Sequence, residues 1–212
     1  MKISVACIGI FLSVVPIKEK CGNSESNTAR ENVKTILSTI SEPVFRDKVY
    51  NIVDFGAIAD GITKNTEAIN AAIAKCNSEG GGQVHITNGN YLTGAIHMLS
   101  NVNLHIDENA VLLFTTDPKD YLPLVPTRWE GDDCYNYSPL IYATGQSNFA
   151  VTGKGMLNGQ ASTKDWWLWK GGTGNGWKKG MPCQLDKNSR PLLKKYNDTQ
   201  TPVEKRQMGE GH

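Results

Sequence analysis

The sequence predicts an all-β fold, a parallel β-helix closed at its N-terminal end by one short helix. Two observations carry most of that expectation. Residues 91–98, 102–107, 110–115, 139–145 and 149–155 are brief segments rich in β-branched or aromatic residues, each bounded by Gly, Asn, Asp or Ser. Two of them share a lead-in, since Ser100-Asn101-Val102-Asn103-Leu104 returns as Ser147-Asn148-Phe149-Ala150-Val151. A repeated strand behind the same polar corner suits a solenoid, in which each coil buries its inner face only by stacking on the next. The third observation is an amphipathic segment ahead of the strands, placed where a coil would otherwise present an apolar floor to water.

Taken in order, residues 23–48 are polar; Ile36, Ile40 and Val44 form a weak stripe that Pro43 interrupts, and residues 21–48 read as a linker. Residues 50–57 alternate apolar and polar like a strand and break at Gly56. Asp60-Gly61 marks a turn. Asn65 or Thr66 then serves as an N-cap, with Glu67 in the first turn. Ile69, Ala72, Ile73 and Cys76 share one helical face, and Gly80-Gly81-Gly82 ends the helix.

In the coils, alternation turns Ile96, Met98, Val102, Leu104 and Ile106 inward and leaves His97, His105 and Asp107 outward. Asn101 and Asn148 stand at equivalent corners, where Asn tolerates left-handed backbone and bonds to its neighbour in the adjacent coil. Residues 116–138 break the rhythm as a long, aromatic, Pro-containing loop, the kind of segment that carries binding function on a rigid scaffold. After Gly159 the pattern lapses into a second loop region, residues 160–212, with Trp166-Trp167-Leu168-Trp169 and Trp177 among glycines and lysines.

The charge balance, 22 Lys and Arg against 21 Asp and Glu, gives no support to a nucleic-acid partner. From Lys164 onward, basic residues outnumber acidic ones; this is either a solvated tail or a basic rim facing an anionic polymer. Residues 1–20 read as a signal peptide, with Lys2 before an uncharged apolar run over residues 3–15 that is too short to span a membrane. Export to the periplasm or beyond is expected, with Cys21 a candidate lipid anchor, although Lys18-Glu19-Lys20 matches such processing poorly. The five cysteines are widely spaced, without a zinc-knuckle or redox pairing. Cys134 and Cys183 are candidates for a disulfide, and Cys76 belongs to the core.

At residue level the chain resembles a known family. The residues that carry the likeness are Asn51-Ile52-Val53-Asp54-Phe55-Gly56-Ala57, Asp60-Gly61-Ile62-Thr63, Gly80-Gly81-Gly82-Gln83-Val84 and Tyr91-Leu92-Thr93-Gly94-Ala95-Ile96. Ser100-Asn101-Val102, Gly153-Lys154-Gly155-Met156-Leu157-Asn158-Gly159-Gln160 and Trp166-Trp167 continue it in order. Together they resemble the opening of the polygalacturonases, glycoside hydrolase family 28, over residues 44–212. The resemblance implies a right-handed parallel β-helix and inverting hydrolysis of α-linked galacturonic acid. Its partner would be pectic polysaccharide or an oligogalacturonide, with no cofactor and no defined protein partner.

Inversion needs two carboxyl groups about 6.5–9.5 Å apart, with room for a water between acid and base. The family supplies them from Asn-Thr-Asp and Asp-Asp motifs, followed by Gly-His-Gly and Arg-Ile-Lys, all beyond the tryptophan segment. This sequence lacks them there. Asn65-Thr66-Glu67 begins the helix, Gly131-Asp132-Asp133 lies in the long loop, and Gly211-His212 is not Gly-His-Gly. No catalytic residue is assigned. The expectation is an N-terminal portion with few coils, inactive alone; the alternative is a non-catalytic carbohydrate-binding module at the cell surface.

Arg128, Trp129 and Glu130 are the candidate substrate-binding residues, since a guanidinium can grip a uronate carboxylate and an indole can stack on a sugar. The bland reading has Trp129 anchoring its loop and Arg128 paired with Glu130 or Asp132. Trp166, Trp167 and Trp169 form either a stacking platform or a small loop core. Glu130, Asp132 and Asp133 fix no oxygen cage, so no metal is expected.

Overall fold

The computed structural model describes residues 23–209. The expected leader over residues 1–20, the Cys21 anchor and Gly211-His212 lie outside the described residues. The chain divides into two compact units that meet between Glu42 and Pro43. In the first, the stretch read as a linker carries a helix, α1 (Asn23–Thr39), whose residues 29–39 are all exposed.

The second unit is the β-helix. It opens with β1 (Val49–Asn51), shorter than the strand expected over residues 50–57. The Asn51 side chain accepts from Val53 N at 3.0 Å, turning Ile52–Phe55 into a 3-10 helix that left-handed Gly56 closes. After β2 (Asp60–Lys64) comes α2 (Thr66–Ser78), with Asn65 at its N-cap position. The Asn65 side chain does not cap the helix. It is buried and clips the preceding loop, accepting from Ile58 N at 2.6 Å and donating to Thr63 O at 2.7 Å.

The coils follow as β3 (Gly82–Ile86), β4 (Gly89–Thr93), β5 (Ile96–His97), β6 (Val102–Ile106) and β7 (Ala110–Phe114). The loop expected over residues 116–138 contains an antiparallel hairpin, β8 (Val125–Trp129) and β9 (Asp132–Asn136). Then β10 (Ile141–Tyr142), β11 (Ala150–Gly153) and β12 (Met156–Asn158) resume the solenoid. Three parallel faces result, ordered β1-β3-β6-β11, β5-β10 and β2-β4-β7-β12.

Side chains stack in rows across these faces because parallel register aligns equivalent positions. Tyr50, Val84, Leu104 and Val151 form one interior row, and Tyr91, Leu112 and Leu157 another. Val84, Leu104 and Leu112 are fully buried, as are Ile69, Ala72, Ile73 and Cys76 on the inner side of α2. The helix closes the first coil as the sequence predicts. At the other end, Val151 and Leu157 are 41% and 45% exposed, so the last row of the core meets solvent. The inward and outward assignments of Ile96, Met98, Val102, Leu104, Ile106 and His97 match the observed burial.

Corners between the β5-β10 face and the β1-β3-β6-β11 face are tight. Asn101 and Asn148 adopt φ of 63° and 52° there. In the coil before them the corner falls at Gly81, where a Cβ would lie 2.4 Å from Asn101 O. That approach admits only glycine.

The candidate disulfide is not formed: Cys134 and Cys183 are both free. Cys134 lies under α3 (Arg190–Asp198), in a small core with Leu193 and Met208. Cys183 instead turns back on Asp186, whose carboxylate accepts from Cys183 N at 2.9 Å. Each thiol is packed into a different local structure, which is why they do not meet.

Candidate carbohydrate-binding clefts

β7 and β12 are neighbours in one parallel sheet, so the segments that leave their C-terminal ends emerge side by side. Both segments are long. The first holds the β8–β9 hairpin. The second holds a 3-10 helix, Trp166–Lys170, and later α3. Their aromatic residues meet: Trp166 stands edge-on to Tyr121 at 5.6 Å and to Trp169 at 5.2 Å, and Trp169 faces Tyr137 at 5.9 Å. Edge-to-face rings at such distances attract each other beyond their burial.

The Trp166–Trp169–Tyr137 wall separates two clefts. One, about 350 Å³, is bounded by Pro118, Tyr121, Ser138, Pro139, Leu140, Gly159 and Ala161. The other, about 370 Å³, is completed by Trp129, Asn136, Trp167, Lys170 and Gln184. Both fall in the size range of sites that hold small ligands, about 300–1,000 Å³. Neither is lined by a carboxylate.

The loop core keeps this wall in place. Residues 206–208 run along β9, with Tyr135 N donating to Arg206 O at 2.9 Å and Met208 N to Tyr135 O at 2.8 Å. The Arg206 guanidinium donates to Thr201 O at 2.7 Å and to Asp133 O at 3.3 Å. Trp129, Leu192 and Tyr196 pack around buried Cys134. Burial pushes the Cys134 thiol up, which suits a packing role rather than a nucleophile. Beneath the wall, Tyr121 donates to Thr115 O at 2.6 Å, and burial raises its hydroxyl to about 12. Asp120 bridges Lys64 at 2.7 Å and Thr115 at 2.6 Å. Burial alone would raise its carboxyl, but those two hydrogen bonds outweigh it and hold it low.

The three sequence-predicted binding residues separate in space. Trp129 is half-buried and lines the second aromatic cleft. Arg128 donates to Asp133, directly opposite it in the hairpin, at 2.8 Å; this bond raises the guanidinium and lowers the carboxyl. Glu130 is bonded to Arg190 of α3 and borders a smaller cleft with Asp132, Lys194 and Asp198. Neither Arg128 nor Glu130 lines the aromatic clefts. Trp166, Trp167 and Trp169 all do, and Trp166 and Trp169 also pack against each other and against Tyr121 and Tyr137.

Sequence reasoning did not single out Tyr121, Tyr137, Leu140, Lys170 or Gln184. The aromatic content of residues 116–138 was the available signal, but its partners lie in a loop one coil later. His97 is exposed beside Ser138 and Tyr142, and His105 stacks on His85 at 4.9 Å, both on outer faces.

Comparison with known proteins agrees with this architecture. The family model described as "Rhamnogalacturonase A/epimerase, pectate lyase-like" matches residues 49–113. A probable polygalacturonase of Vitis vinifera is 34% identical over 125 residues, 55% of this chain and 25% of that protein. An exo-poly-alpha-D-galacturonosidase of Dickeya chrysanthemi is 26% identical over 175 residues, 76% of this chain and 24% of that protein. The crystal structure of a hyperthermoactive exopolygalacturonase from Thermotoga maritima superposes with a TM-score of 0.82 at 42% identity, covering 87% of this chain and 40% of that one. The chain thus spans about a quarter of the length of these curated relatives. The chain is therefore similar in fold and sequence to the polygalacturonases, over part of their length.

Proposed function

We propose that this chain supplies the first coils and the aromatic gripping loops of a pectin-degrading hydrolase, and that its own part in the reaction is to hold galacturonan. The observation that carries this reading is the Trp166–Trp169–Tyr137 wall with Lys170 beside it. Flat aromatic faces pack against sugar rings, and a solvent-facing ammonium attracts a uronate carboxylate. Lys170 enters none of the ion pairs among the described residues, so its charge remains available.

Hydrolysis with inversion requires two carboxyl groups flanking the scissile bond. The aromatic clefts offer none, which supports a binding role for them. No helix among the described residues is long and apolar enough to cross a membrane. Export, directed by residues 1–20, is part of the same proposal, because the polymer lies outside the cell.

Calorimetric titration of the chain with oligogalacturonides tests the reading. Binding is expected to weaken about tenfold in Trp169→Ala, the loss of roughly 1.4 kcal/mol of stacking. Unchanged affinity in Trp166→Ala and Trp169→Ala alike would overturn it. A reducing-end assay on polygalacturonate is expected to show no turnover by this chain alone.

A further inference from the structure

The two clefts share a wall but differ in chemistry, and the difference bears on which form of the polymer fits. The second cleft carries Lys170 and Gln184. The first is lined by no Lys, Arg or His. Three of the polar groups at its edge are already committed. Tyr121 Oη donates to Thr115 O at 2.6 Å, Trp166 Nε1 to Gly159 O at 2.9 Å, and Ser138 Oγ to Pro139 O at 2.9 Å. An ionised carboxylate entering here would shed its water with no charged donor to replace it, a costly exchange. A neutral ester avoids most of that penalty, and its methyl group gains from apolar burial against Leu140 and the indole rings.

We infer that the cleft between Tyr121, Leu140, Trp166 and Trp169 receives a methyl-esterified galacturonate residue, while the adjoining Lys170 cleft receives one with a free carboxylate. The pair would then select partially esterified pectin over the fully de-esterified polymer. This rests on the galacturonan reading above and specifies which form of that polymer the same site prefers.

The probes are trigalacturonate and its partially methyl-esterified form, each titrated into the full chain. The ester is expected to bind at least about fivefold more tightly. Ala161→Lys, at an exposed position on the first cleft, is expected to reverse that preference by placing an ammonium where the ester methyl would sit. Equal or tighter binding of the unesterified probe by the native chain overturns the inference and leaves galacturonan binding intact. An esterified-to-free affinity ratio that Ala161→Lys does not change overturns the placement of the ester in this cleft. If neither probe binds, the galacturonan reading itself fails, and this inference fails with it.

Discussion

Asn148 Nδ2 donates to Asn101 Oδ1 at 2.9 Å across one coil, and the same Asn148 side chain pairs with both backbone groups of Val44. Val44 N donates to Asn148 Oδ1 at 3.1 Å, and Asn148 Nδ2 donates to Val44 O at 2.9 Å. The corner residue therefore joins consecutive coils and fastens the strand of chain that leads into β1. Asparagine suits this position because it tolerates a φ of 52° and still carries both a donor and an acceptor. Asn148→Ala loses three partly solvated hydrogen bonds and puts Ala, which tolerates left-handed backbone less well than Asn, at a φ of 52°, so it should lower unfolding free energy by about 1–3 kcal/mol. Asn148→Gly relieves the backbone and should lose less. Denaturant unfolding of both variants checks this, and equal stability to the native chain would remove the corner from the account.

Glu79 gives the fold a defined acid sensitivity. Its carboxylate accepts from Lys48 at 2.5 Å, Tyr50 at 2.7 Å and Lys75 at 2.9 Å, which together hold it down at about 2. A carboxyl depressed in the folded state stabilises fully above its unfolded value, about 4.3, and that contribution is lost as pH falls through the folded value. The melting temperature should therefore decline between about pH 4.5 and 2. Glu79→Gln should flatten the profile over that window, and an unaltered slope would show that other carboxylates set it.

Arg128 and Trp129 are neighbours in sequence with different expected roles. Arg128 is exposed and held by Asp133 across the hairpin, so Arg128→Ala should change oligogalacturonide affinity less than twofold. Trp129 borders the second cleft, and Trp129→Ala should weaken binding several-fold. A larger loss in Arg128→Ala than in Trp129→Ala would move the carboxylate contact to the hairpin.

The uncovered end of the core predicts self-association. Phe149, Val151, Met156 and Leu157 are each at least 36% exposed, and β11 and β12 are outer strands of their sheets. Exposed apolar strand edges template pairing between chains. Sedimentation velocity of this chain should show concentration-dependent oligomers, reduced in Val151→Lys. Monomeric behaviour at high concentration, with or without the substitution, would count against an accessible edge.

Much of the scaffold was legible in the order of residues because a solenoid is assembled from near neighbours. Alternation fixed which of Val102 to Ile106 point inward, the repeated Ser-Asn corner located the coil boundaries, and the apolar face of α2 identified the cap. These signals are local and periodic. Asn65 shows their limit: its type and position read as an N-cap, but an adjacent loop competes for the side chain and wins.

The sequence by itself determined the β-helix, its capped start, and a loop region rich in Trp. Only the tertiary structure decided that Trp166 and Trp169 meet Tyr121 and Tyr137, that Arg128 is spent on Asp133, and that Cys134 and Cys183 stay apart. Coil stacking depends on residues at matching places in successive repeats, which a single pass along the chain can compare. Loop contacts depend on which two insertions leave the same sheet, and that follows from β7 lying beside β12 in space, a relation no local pattern encodes.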